Sequence, residues 1–189
     1  MTSIGDNVFM NCLNLTSVTI PNSVTSIGNW AFESCGLTNI TIPASVMSIG
    51  ETVFARCNSL TSVTIQEGVT SIGNEMFMNC LNLTSVTIPS SVTRIGDKAF
   101  SYCKSLTDVT ILEGVSSIGY WAFESCPGLT NMTIPASVTS IGYDAFSSKN
   151  LKSVTFSGKD KATVQGMSNY RWSLYSGCVI HCTNGDITI

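Results

Sequence analysis

The chain has 189 residues, only 11% of them charged, with 9 Lys and Arg against 12 Asp and Glu for a net charge of −3. A typical soluble domain is about one quarter charged; here 27 Ser and 22 Thr fill the gap, while 43% hydrophobic residues are enough for a core and argue against disorder. The faint acidity leaves no footprint for nucleic acid or an anionic bilayer, no apolar run reaches the roughly 20 residues of a membrane helix, and a single His removes most acid–base and metal chemistry.

The start, Met1-Thr2-Ser3-Ile4, has neither the basic nor the apolar region of a signal peptide. It falls in the middle of a repeat. Ile-Gly recurs at Ile4, Ile27, Ile49, Ile72, Ile95, Ile118 and Ile141, at intervals of 22 or 23 residues. Phe follows each Ile by five positions, and Cys follows three later at Cys12, Cys35, Cys57, Cys80, Cys103 and Cys126; the seventh copy has Lys149 there. An apolar trio such as Leu15, Val18 and Ile20 comes next, then a Val that leads into the following Ile-Gly. Val18 and Ile20, two apart, share one face of an extended strand, and Ser17 and Thr19 share the other. Val24-Thr25-Ser26-Ile27 reads as a second short extended piece between turn residues Pro21 and Gly28, and residues 29–34 have room for one helical or 3₁₀ turn. One such unit cannot bury its apolar side, whereas stacked copies form a continuous core about 34 Å long at sheet spacing. A stack that begins at Ile4 leaves the core side of its first coil open. A boundary within a longer chain, or an edge that associates with another chain, is therefore expected there.

A longer regularity overlies the repeat: Phe9 to Pro21 recurs verbatim as Phe77 to Pro89, and Trp30 to Cys35 as Trp121 to Cys126. Residues 1–156 make the array and 157–189 a non-repeating end in the same structural domain. That end holds Tyr170, Trp172, Leu174 and Tyr175, then Val179, Ile180, Ile187 and Ile189 around a turn at Asn184-Gly185, and reads as a strand pair closing the last coil.

The pattern C-x-x-L-x-x-V-x-I-P-x-S-V-x-x-I-G-x-x-A-F, from Cys12 to Phe32, resembles the BspA-like leucine-rich repeats, a 23-residue class found in surface proteins of bacteria and some parasitic protists. The resemblance covers residues 1–156; the tail with Trp172 and then Cys178 to Asp186 is similar, more loosely, to the segment closing many such arrays. It implies a mostly β, right-handed leucine-rich-repeat solenoid of about seven coils, with a parallel sheet and short helical or 3₁₀ turns. It also implies extracellular or cell-surface display, as part of a larger protein. A protein or host-surface ligand would be bound with neither catalysis nor cofactor.

Six Cys in one slot per coil form a ladder whose side chains run in parallel, so buried thiols are expected ahead of disulfides or a metal site. Cys178 and Cys182 would share a strand face with His181 opposite, about 13 Å apart and too far for one metal. The glutamates Glu33, Glu51, Glu67, Glu75, Glu113 and Glu124 are scattered among turns, and the only His, His181, lies in the closing segment beyond the array, which points away from an enzyme. The outward strand positions give a ladder of Thr19, Thr41, Thr64, Thr87, Thr110 and Thr133, beside a second that includes Asn39, Asp108 and Asn131. This face is either the solvated side of a parallel sheet or a polar platform for a partner. Trp30 and Trp121 fall on turns where other coils have Asn7, Thr52, Glu75, Lys98 and Asp144, and are candidate anchors if exposed.

Overall fold

In the computed structural model, which describes residues 1–167 and 172–189, the alternation of aliphatic and hydroxyl residues becomes a stack of short parallel strands. Coils are numbered here from the Ile of each Ile-Gly pair. Coils 2 to 7 contribute Asn39–Ile42, Ser62–Ile65, Ser85–Ile88, Asp108–Ile111, Asn131–Ile134 and Ser153–Phe156. Their second and fourth residues point inward and the others outward, as the two-residue strand period requires. A second row of two-residue strands, from Ser3–Ile4 to Ser140–Ile141, ends each time on the Ile of Ile-Gly. Tyr170, read above as part of the closing segment, lies outside the described residues.

The segment after each Gly is a run of turns rather than the helical or 3₁₀ turn expected. In coil 2, Trp30 and Ser34 take left-handed backbone with φ of 54° and 57°; the equivalent pairs in coils 1 and 3 to 6 do the same. The reason lies in the hydrogen bonds. The carbonyls of Asn29, Ala31 and Glu33 accept from the N–H groups of Asn7, Phe9 and Asn11 in coil 1 at 2.8–2.9 Å. The N–H groups of Trp30, Phe32 and Ser34 donate to Glu51, Val53 and Ala55 of coil 3 at 2.9–3.0 Å. A helix would turn these groups along its own chain and leave the neighbouring coils unbonded.

Inside, the repeated Phe residues stack one per coil. Ring centroids from Phe9 to Phe146 are 5.1 to 6.1 Å apart and nearly parallel. Each Cys packs beside this column. Burial of apolar surface on both sides of each internal coil, rather than any local propensity, holds the stack.

The main sheet is not continuous, and proline marks the openings. Gln66, Leu112 and Ser157 donate backbone N–H to Ile42, Ile88 and Ile134 of the preceding coil at 2.9–3.1 Å, and in those coil pairs the strands align over four residues. Pro89 and Pro135 occupy the same position and have no N–H to give Ile65 and Ile111. Accordingly Ser62–Ile65 and Ser85–Ile88 align only at Ser62 and Ser85, while Asp108–Ile111 and Asn131–Ile134 fall in separate sheets. Pro43 stands in the same relation to Ile20, and coil 1 forms no regular strand at residues 17–20.

At the far end, Trp172 is 1% exposed and meets Phe146 edge-on at 6.1 Å. A short helix, Lys161–Gly166, starts at Asp160, whose carboxylate accepts the Thr163 N–H at 2.8 Å. The pattern gave no signal for it. Val179–Cys182 then extends the sheet in parallel to Ser153–Phe156, and Gly185–Thr188 turns back antiparallel to it.

Candidate functional site

The expected face assembles. Thr41 is register-paired with Thr64, Thr87 with Thr110 and Thr133 with Thr155; Asn39 pairs with Ser62, Ser85 with Asp108 and Asn131 with Ser153. Thr19, Thr41, Thr64, Thr87, Thr110 and Thr133 are exposed, as are Asn39, Asp108 and Asn131. Rungs follow one another at the ~4.8 Å spacing of paired strands.

Two neighbouring threonine ladders behave differently, which the sequence did not reveal. Thr38, Thr61, Thr84 and Thr107 each donate their hydroxyl to the carbonyl of the equivalent residue one coil back, at 3.0–3.3 Å. They lace the coils together. The Thr41, Thr64, Thr87, Thr110 and Thr133 hydroxyls make no such bond among the described residues and face solvent. The amides of Asn39 and Asn131 turn aside to Thr38 and Thr130 at 3.2 Å.

The tryptophans do not join this face or each other. They lie on the turn segment four coils apart, about 19 Å along the stack. Trp30 is 39% exposed. Trp121 is half-buried, with its Nε1 donating to Asp144 at 3.2 Å and Lys98 Nζ 5.8 Å from its ring centre. Beside it stand two exposed tyrosines missed from sequence, Tyr120 and Tyr143, with ring centres 6.0 and 6.4 Å away. A signal existed. Their slot holds Asp6, Asn29, Asn74 and Asp97 in other coils, where the side-chain oxygen accepts the next coil's N–H at 2.7–3.0 Å. Coils 6 and 7 give up that acceptor for an aromatic ring.

The cysteine ladder is buried and hydrogen-bonded. Cys35, Cys57, Cys80, Cys103 and Cys126 each direct the thiol to a Phe carbonyl in the preceding coil at 3.0–3.2 Å. Burial pushes the thiols of Cys57 and Cys126 up to about 12 and those of Cys80 and Cys103 well above the usual 9.0, so they remain protonated. All eight cysteines are free thiols. His181 pairs with Asp186 across the closing hairpin at 2.9 Å. Among the described residues, no three His, Cys, Asp or Glu side chains are grouped as a metal site would need.

A stacked parallel-sheet solenoid with a 23-residue step is the architecture of leucine-rich-repeat proteins. The family model for the BspA type leucine-rich repeat region matches six copies over residues 1–107 and 70–176, and the chain belongs to that family. A leucine-rich repeat protein from Bacteroides ovatus is 31% identical with a TM-score of 0.76, over 82% of this chain and 40% of that one. A leucine-rich cell-surface protein from Faecalibacterium prausnitzii is 26% identical with a TM-score of 0.55, over 87% and 59%. One from Eubacterium ventriosum is 25% identical with a TM-score of 0.50, over 94% and 61%. The chain thus spans between 40 and 61% of the length of these relatives. No curated protein matches it significantly. No helix among the described residues is long and apolar enough to cross a membrane.

Proposed function

We propose that this chain is a non-catalytic binding region of a larger cell-surface protein, and that it lays its strand face across a protein or host-surface ligand. One observation carries the reading: the outer threonine hydroxyls are exposed and unengaged, while the adjacent threonine ladder is consumed by coil-to-coil bonds. Stacked threonines also suit a sheet by themselves, so the test below separates binding from stability. Membership in the repeat family and likeness to a protein described as a cell-surface protein support display outside the cell. Trp30, with Tyr120 and Tyr143, offers a second contact on the turn side.

The test is capture from a panel of purified extracellular proteins. Thr64→Glu/Thr87→Glu/Thr110→Glu is expected to abolish capture while keeping the folded circular-dichroism spectrum, with a modest fall in melting temperature from like charges on adjacent rungs, and Trp30→Ala/Trp121→Ala to weaken capture less. Loss with the tryptophan pair alone would move the interface to the turn side.

A second reading rests on coil 1, where Phe9, Cys12, Leu15 and Val18 are half-buried although the coil 2 counterparts Phe32, Cys35, Leu37 and Ile40 are fully buried. A second copy pairing there would cover them, and light scattering showing a monomer at high concentration removes that idea.

A further inference from the structure

Departures from the repeat gather where coils 5 to 7 meet the closing segment. Tyr102 stands in the slot occupied by Asn11, Ser34, Arg56, Asn79 and Ser125 in other coils, and Lys149 replaces the ladder cysteine of coil 7. Together with Tyr175 and Lys104 they rim a groove of about 300 Å³, floored in part by Ser125 and Ser147. Tyr102 and Tyr175 are 41% and 42% exposed, so both rings face solvent in part.

The groove combines two lysines with two tyrosine rings. Neither lysine has an ion-pair partner among the described residues, and no carboxylate lines the groove. Nor do the hydroxyls of Tyr102, Tyr175, Ser125 and Ser147 have a partner among the described residues. Charge is distributed to match. Residues 98–189 carry seven Lys and Arg against six Asp and Glu, whereas residues 1–97 carry two against six. Tyr102 and Ser148 occupy one slot two rungs apart, about 10 Å along the stack.

We propose that this groove binds an acidic saccharide, a pyranose bearing a carboxylate. The C–H face of the ring lies on a tyrosine, the carboxylate takes charge-assisted hydrogen bonds from Lys104 and Lys149, and the sugar hydroxyls meet Ser125 and Ser147. An acidic peptide suits the site less, because an extended peptide needs a free backbone edge. Here the backbone is already spent: Tyr102 N–H donates to Glu124 and Ser125 N–H to Ser147, both at 2.9 Å. The proposal stands apart from the strand-face reading, since it uses none of those threonines.

The experiment titrates the protein with trigalacturonate and with sialyllactose, using neutral trigalactose and hexaglutamate as contrasts, followed by saturation-transfer NMR and calorimetry. At least one acidic sugar is expected to bind and the neutral sugar not. Lys104→Gln/Lys149→Gln should lower the affinity roughly tenfold or more, and Tyr175→Ala should reduce saturation transfer to the ring protons. Both variants should melt as the wild type does, and Thr64→Glu/Thr87→Glu/Thr110→Glu should bind the sugar unchanged. Equal binding of the neutral sugar, failure of both acidic sugars at millimolar concentration, or binding of hexaglutamate alone would overturn the proposal.

Discussion

Glu113 holds the coil after it with one carboxylate, accepting the N–H groups of Ala136 and Ser137 at 3.0 and 2.9 Å; Glu67 does the same for Ser90 and Ser91 at 3.0 and 3.1 Å. These amides, first of all those of Ala136 and Ser90, hold both carboxyls below their ordinary 4.5. A lowered folded value means the contribution is complete above the unfolded one and fades as pH falls through the folded one. Melting temperature should therefore drop most steeply below about pH 4.5, and Glu67→Gln/Glu113→Gln, which keeps one acceptor per site, should flatten that slope. Gly114 is a position where only glycine fits. Its φ is +126°, and a Cβ would lie 2.0 Å from the Ser90 carbonyl oxygen, so Gly114→Ala should cost about 1–3 kcal/mol in a denaturant melt. The buried thiols of Cys35, Cys57, Cys80, Cys103, Cys126 and Cys178 should resist a thiol reagent in the native protein and react on unfolding. Fast reaction of more than the two half-buried thiols, Cys12 and Cys182, would contradict the packing.

At the level of the element, the sequence announced the strands and concealed the turns. Val18 and Ile20, with their counterparts, could only be one face of an extended segment. The stretch Asn29 to Ser34 fitted a helical turn equally well, because no local rule asks Trp30 or Ser34 to adopt positive φ; the neighbouring coils impose it through their carbonyls and N–H groups. The proline seams were legible in principle. Pro at the end of a strand removes one donor to the coil before, and the glutamate clips of coils 3 and 5 span the two seams that follow those coils. Pro135→Ala restores an N–H within reach of the Ile111 carbonyl. Its amide is expected to exchange slowly with deuterium, with a net change in stability within about 1 kcal/mol, since the new bond opposes lost backbone rigidity. Rapid exchange at residue 135 would mean that the seam is kept open by something other than the missing donor.

Across the whole molecule, stability comes from nearest-neighbour stacking, so the cost of a core deletion depends on how many neighbours the residue has. Phe77 lies between Phe54 and Phe100, at 5.7 and 5.4 Å, and is fully buried; Phe9 stacks only on Phe32 and is half exposed. Phe77→Ala should destabilise by about 3–5 kcal/mol and Phe9→Ala by clearly less, as read from urea melts. The sequence by itself determined the period, the inward aliphatic slots and the hydroxyl-rich outer face, because side chains two apart in a strand must share a face. What joined distant positions was decided only when the coils stacked. Stacking separated a threonine ladder that binds its neighbours from one left free, set Trp121 against Lys98 and Asp144, and brought Tyr102 and Lys104 beside Lys149 and Tyr175. Those outcomes depend on which groups of adjacent coils come within hydrogen-bonding reach, a relation between residues 22 or more positions apart that no local pattern contains.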